Sequence, residues 1–129
     1  MTNGKRIAVI GSGSWATAIV KILSNNASKI SWYFRNQSDI EHMNKHGHNP
    51  RYLSSVQFDL NKLHLSCDLL DTLTNADVII LAVPSAFIND TIKNISAEVF
   101  AGKTVFSAIK GIVPEYNLIV GEYLNTVFN

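Results

Sequence analysis

Gly11-Ser12-Gly13-Ser14-Trp15-Ala16 is a G-x-G-x-x-A sequence, with small residues where a chain must turn sharply and admit a charged ligand. Gly11 permits a tight turn in which a Cβ would clash. Gly13 lets the main chain approach a pyrophosphate, and Ala16 is small enough for a helix to pack closely on a sheet. Amides near Ser14 and Trp15 would stand at a helix N-terminus, where unpaired donors and the helix dipole favour an anion. Together Gly11, Ser12, Gly13, Ser14, Trp15 and Ala16 form a candidate cofactor-binding turn for the phosphates of a dinucleotide; the alternative is a plain glycine-rich turn with no ligand. The motif has chemical meaning only between a strand and a helix, so its neighbours decide it.

Those neighbours fit. Ile7 to Ile10 is a short apolar run suited to a strand buried on both faces. Ser14 to Ser24 follows with Ala16, Ile19, Val20 and Leu23 at the spacing of one helix face. Ile30 to Phe34 reads as a second strand. A polar stretch from Arg35 to Lys62 comes next, with a short helix near Asp39 to Lys45. Leu63 to Leu65 predicts a strand, Asp68 to Thr74 a helix, and Val78 to Val83 the strongest strand, ended by Pro84. A helix with Ile88, Ile92, Ile95 and Val99 on one side precedes a strand at Thr104 to Ala108. Pro114 and Glu115 suit the first turn of a last helix, whose apolar face would be Tyr116, Ile119, Val120, Tyr123, Leu124 and Val127. Strands alternating with helices predict an α/β fold, a Rossmann-type doubly wound, mainly parallel sheet with helices on both faces.

The end of the second strand bears on which ribose is read. Sites that hold a free 2′-hydroxyl place an acid about 20 residues past the glycines. Here Tyr33, Phe34, Arg35 and Asn36 stand instead, with no acid before Asp39. Arg35 suits a 2′-phosphate, which an acid would repel, so NADP(H) is preferred over NAD(H). The competing reading makes Arg35 a solvated loop residue. Phe34 is placed to stack on an adenine, or else to fill the core.

Composition narrows the remaining classes. With 129 residues, 47% hydrophobic and 16% charged, the chain has the material for one core, which excludes intrinsic disorder. A net charge of +1 gives no field to hold a polyanion, so nucleic acid is not the expected partner. Cys67 is the one cysteine; it cannot form an internal disulfide, fits a reducing cytoplasm, and reads as a small buried or half-buried apolar side chain. Nothing approaches a membrane span. His42, His46 and His48 cluster beside Glu41, but Gly47 and Pro50 interrupt the helical spacing and no further ligand is placed, so no metal is expected. His64 alternates with Leu63 and Leu65 and should be exposed; Trp32 reads as core or interface. Neither a G-x-S-x-G elbow nor a P-loop lysine is present.

Five segments in order carry a closer likeness: Gly11 to Ala18, Trp32 to Arg35, Asn49-Pro50-Arg51-Tyr52-Leu53, Ala76-Asp77 leading into Val83-Pro84-Ser85, and Lys110-Gly111-Ile112. Through them the chain resembles the N-terminal cofactor-binding domain of NAD(P)-dependent glycerol-3-phosphate dehydrogenase, over essentially its whole length. The resemblance implies that Ser14 and Trp15 contact the pyrophosphate region, that Phe34 and Arg35 sit by the adenosine end, and that Phe87 packs near the cofactor. It implies that Lys110 touches both cofactor and substrate. Ala16 departs from the glycine of many members. The family's proton-transferring lysine belongs to a helical C-terminal domain, so no catalytic residue is expected within residues 1–129, which form one NAD(P)-binding domain and alone should not turn over. What the resemblance implies is interconversion of sn-glycerol 3-phosphate and dihydroxyacetone phosphate in the cytoplasm, feeding glycerophospholipid synthesis, and a homodimer when full-length. The alternatives are a related hydroxy-acid or sugar-phosphate dehydrogenase, or a non-catalytic dinucleotide sensor.

Overall fold

The structure is a computed structural model and describes residues 6–25, 29–84, 88–108, 112–113 and 118–119. Its order is β1 (Ile7–Ile10), α1 (Ser14–Leu23), β2 (Ile30–Tyr33), α2 (Gln37–His46), β3 (Leu63–Ser66), α3 (Leu69–Thr74), β4 (Val78–Leu81), α4 (Ile88–Ile92), β5 (Thr104–Ser107), β6 (Ile112–Val113) and β7 (Leu118–Ile119). Strands β1 to β5 form one sheet in the order β3-β2-β1-β4-β5, and every neighbouring pair is parallel. The chain winds outward from β1 through β2 to β3, then returns to the other side of β1 for β4 and β5. This is the doubly wound arrangement that the alternating elements predict, and it places a topological switch between the carboxyl ends of β1 and β4.

Side-chain alternation along the central strands builds two cores. Ile7 and Val9 of β1 join Ala16 and Val20 of α1, Trp32 of β2, and Ile40 and Met43 of α2 on one face of the sheet. Ala8 and Ile10 face the opposite way, with Leu73 of α3, Ile79 and Leu81 of β4, and Ile88 and Ile92 of α4. All four residues of β1 are buried, which is why that strand tolerates no polar side chain. No helix among the described residues is long and apolar enough to cross a membrane.

Several sequence expectations change in detail. The second helix is longer, Gln37–His46, and ends at Gly47, whose left-handed φ of 78° reverses the chain as its N–H closes on the Met43 carbonyl. The helix expected through Ile88, Ile92, Ile95 and Val99 is broken. α4 stops at Ile92, and a 3₁₀ turn follows at Ala97–Phe100, because Ser96 takes the Glu98 N–H with its side chain. All four apolar residues nevertheless face the second core. Most of the helix expected from Pro114 falls outside the described residues. Where Ile119 is described, it lies in β7, paired antiparallel with β6, and not in a helix; Ile112, Val113 and Ile119 are β-branched and suit extended backbone. Cys67 is exposed, not buried: it follows the edge strand β3, and its Sγ lies 3.2 Å from Gln37 Oε1. His64 is exposed as expected and meets Asp71 at 3.0 Å.

The two-core arrangement makes identical side chains unequal. Ile79 is fully buried in β4, whereas Ile22 is 65% exposed on α1. Ile79→Ala should cost about 2–5 kcal/mol in urea unfolding, and Ile22→Ala no more than about 0.5 kcal/mol.

Candidate functional site

The turn from β1 into α1 lies at the switch point and is held by contacts from three directions. Gly11 adopts φ +127°, and a Cβ built there would stand 2.6 Å from the Ala82 carbonyl oxygen just beyond β4. Both the conformation and the close approach require glycine. Gly13 differs: its φ is −78°, open to any residue, and a Cβ would meet nothing within 4 Å among the described residues. The chain's own packing gives no reason for glycine at that position. Ala16 is fully buried against the sheet, as its size requires, while Ser14 and Trp15 are exposed at the start of α1.

Three successive carbonyls of this turn point inward, each to a donor within the fold. The Trp32 indole Nε1–H donates to the Gly11 carbonyl at 2.6 Å. Asn49 Nδ2 donates to the Ser12 carbonyl at 3.1 Å. The Gly13 carbonyl accepts from the Thr17 N–H at 2.9 Å and from Thr17 Oγ1 at 2.6 Å. The C=O and N–H of one trans peptide unit point in opposite directions. Fixing these three oxygens therefore turns the N–H groups of Ser12, Gly13 and Ser14 away from the donors, and none of the three donates to a described residue. Helix α1 begins here without a side-chain cap or an acid in its first turn, so its own first N–H groups add to the same positive end. A concavity of bare peptide donors at a helix start accepts an anion such as a diphosphate.

The second strand supplies the flank. Arg35, Asn36, Gln37 and Ser38 are exposed between β2 and the first turn of α2, and Asn36 makes no side-chain cap. Phe34 corrects an expectation. Its ring is fully buried in the first core, 4.5 Å centroid to centroid from Trp32, and offers no face to an adenine. The apolar neighbourhood of Trp32 and Met43 has claimed it. Phe87 and Lys110 lie outside the described residues.

Three positioning side chains escaped the sequence reading. Trp32 reads there only as core or interface, yet a buried indole needs an acceptor and finds the Gly11 carbonyl. Thr17 and Asn49 stand within quoted segments without a role. An Asn followed by Pro is a turn signal, and Asn49 does close a turn on the Arg51 N–H.

The chain matches the family described as NAD-dependent glycerol-3-phosphate dehydrogenase N-terminus over residues 6–129. The chain belongs to this family. A glycerol-3-phosphate dehydrogenase [NAD(P)+] of Pseudomonas fluorescens is 33% identical over 131 residues, an alignment taking in 98% of this chain and 37% of the relative. One of Nitratidesulfovibrio vulgaris is 31% identical over 91% of this chain and 35% of its own length. The chain thus spans little more than a third of the curated relatives it matches. A solved glycerol-3-phosphate dehydrogenase of Coxiella burnetii superposes with a TM-score of 0.82 at 27% identity, covering 96% of this chain and 38% of that one. The parallel sheet is therefore that of the family.

The histidines group elsewhere. The rings of His42, His46 and His48 sit 4.4 to 5.9 Å apart at the end of α2, and no set of three or more His, Cys, Asp or Glu among the described residues is arranged to hold a metal. His42 Nε2 is sealed from solvent without a hydrogen-bond partner among the described residues. Burial first, then the neighbouring His46 and His48, hold its pKa below 6.5, against the pull of Asp39.

Two predictions follow from this geometry. Gly11→Ala should destabilise by more than about 2 kcal/mol, and Gly13→Ala by less than about 1 kcal/mol, in thermal or urea unfolding. Because the folded state resists protonating His42, the unfolded chain binds that proton more readily. Stability should therefore fall as pH drops below about 6.5 and level off once the folded-state value is passed. The urea midpoint measured between about pH 7.5 and about pH 5 should show this slope, and His42→Gln should reduce it.

Proposed function

We propose that residues 1–129 are the NAD(P)-binding domain of an enzyme that interconverts sn-glycerol 3-phosphate and dihydroxyacetone phosphate. The observation that carries this reading is the inward pinning of the Gly11, Ser12 and Gly13 carbonyls, with open space beside Gly13. The residues present fit the group. The N–H groups of Ser12, Gly13 and Ser14 would hold the diphosphate, and Trp15 would border it from the exposed start of α1. When bound, the nicotinamide supplies the hydride, and the chain's part is to bind and orient it.

NADP(H) is the preferred cofactor in this reading. Arg35 is exposed where a 2′-phosphate would lie, the first turn of α2 beside it lacks a side-chain cap, and no carboxylate precedes Asp39. Asp39 itself is engaged by Arg51 Nε at 3.2 Å and is buried, which removes it from the ribose. Lys110, which follows β5 in the sequence, would touch cofactor and substrate, as the family likeness implies. In the family-based reading the substrate is a small phosphorylated molecule, the setting is the cytoplasm, the product feeds glycerophospholipid synthesis, and the full-length enzyme is a homodimer.

Fluorescence titration with NADPH and NADH tests the reading. NADPH should bind more tightly, and Arg35→Asp should invert the preference by about tenfold or more through loss of one charge pair and gain of a repulsion. Gly13→Ala should weaken both coenzymes by about tenfold while leaving the fold intact, because its methyl enters the space the diphosphate needs. Failure of both reduced coenzymes to bind the parent protein would overturn the proposal.

A further inference from the structure

We infer that Asn49, which lies outside the glycine motif, is a positioning residue for the dinucleotide's diphosphate; the inference rests on the cofactor reading above. Asn49 is 37 residues along the chain from Ser12, in the excursion between α2 and β3, yet its side chain is 1% exposed beneath the turn. Its amide makes four hydrogen bonds, as many as the group can usefully form. Nδ2 gives one hydrogen to the Ser12 carbonyl at 3.1 Å and the other to Thr17 Oγ1 at 3.0 Å. Oδ1 accepts from the Arg51 N–H at 2.9 Å and the Tyr52 N–H at 3.2 Å.

The two halves of the amide do different things. The acceptor half closes the local turn of residues 49–52, and Arg51 then ties that turn to the buried Asp39 of α2. The donor half reaches across to the cofactor turn. By holding the Ser12 oxygen it fixes the plane of the Ser12–Gly13 peptide and turns the Gly13 N–H to the side away from Asn49. By donating to Thr17 Oγ1 it leaves that hydroxyl's own hydrogen for the Gly13 carbonyl, which aims the Ser14 N–H in the same way. One displayed donor, the Gly13 N–H, thus depends on this distant amide, and a second, the Ser14 N–H, is supported by it beside the Thr17 N–H bond to the same Gly13 carbonyl. Without it the Ser12 peptide is free to rotate, and the binding energy must first restore its orientation.

The two halves can be separated. Asn49→Ala removes all four bonds. Asn49→Asp keeps the acceptor bonds to Arg51 and Tyr52 but loses the donors to Ser12 and Thr17. Both variants should bind NADPH about tenfold or more weaker than the parent, while adenosine, which lacks the diphosphate, binds all three alike. Asn49→Asp should keep more of the parent melting temperature than Asn49→Ala. In ¹⁵N-resolved spectra the Gly13 amide should shift on NADPH addition in the parent and much less in either variant. Undiminished NADPH binding in a folded variant would overturn the inference, as would parallel weakening of NADPH and adenosine. So would the unfolding of both variants, which would make Asn49 a folding element only. If the parent binds neither NADPH nor NADH, the cofactor reading itself is what fails.

Discussion

A turn can offer N–H groups to an anion only if its carbonyls have somewhere else to go. A loop left to water points both kinds of group outward, and the oxygens repel what the amides attract. After β1 the conflict is resolved by three side chains from different parts of the chain: Trp32 from β2, Asn49 from the excursion before β3, and Thr17 from α1 itself. Each bond is modest in isolation, but a buried carbonyl left without a partner costs about 1–3 kcal/mol, so the arrangement is held from within before any ligand arrives. Orientation fixed in advance is what makes a weak set of dipoles act together.

This pinning depends on the sheet. Trp32 reaches Gly11 because β1 and β2 are adjacent and parallel, with Val9 opposite Trp32 in register. Gly11 lies against Ala82 because β4 is the other neighbour of β1, with Ile10 opposite Leu81. The strand order that creates the switch point therefore also brings two walls to the turn, one that holds a carbonyl and one that excludes a side chain. The inward-facing ends of β1, β2 and β4 must be apolar for this packing, and Val9, Trp32, Leu81 and Ala82 are buried.

Most of this architecture was legible in the residues, because it rests on local signals. The continuous apolar runs of β1 and β4, the helical spacing from Ala16 to Leu23, and the glycines between them predict strand, turn and helix at positions the structure reproduces within a residue or two. What was not legible depends on partners far along the chain. Phe34 at a strand end looks equally suited to an adenine or to the core, and only the packing of Trp32, Met43 and Phe58 around it decides for the core. Cys67 is apolar by type but sits past an edge strand, where it stays exposed. The helix through Ile88 and Val99 has the right period, and a single serine cap breaks it while the apolar face survives. Asn49 carries no periodic signal, since its partners Ser12 and Thr17 lie more than thirty residues away.

The two motif glycines show why such a pattern is read correctly from sequence yet for mixed reasons. At Gly11 the constraint is internal: the positive φ and the Ala82 carbonyl exclude a side chain whether or not anything binds. At Gly13 the backbone is ordinary and no described residue stands within 4 Å of a Cβ, so packing among the described residues would accept alanine there. A glycine that the fold does not need marks the side of the turn that faces outward. It adjoins the Ser12–Gly13 peptide that Asn49 holds and the exposed Ser14 and Trp15. Inward, the turn is fixed by shape and hydrogen bonds; outward, it is kept bare. A surface held rigid on one side and stripped of side chains on the other is suited to a ligand that brings its own negative charge.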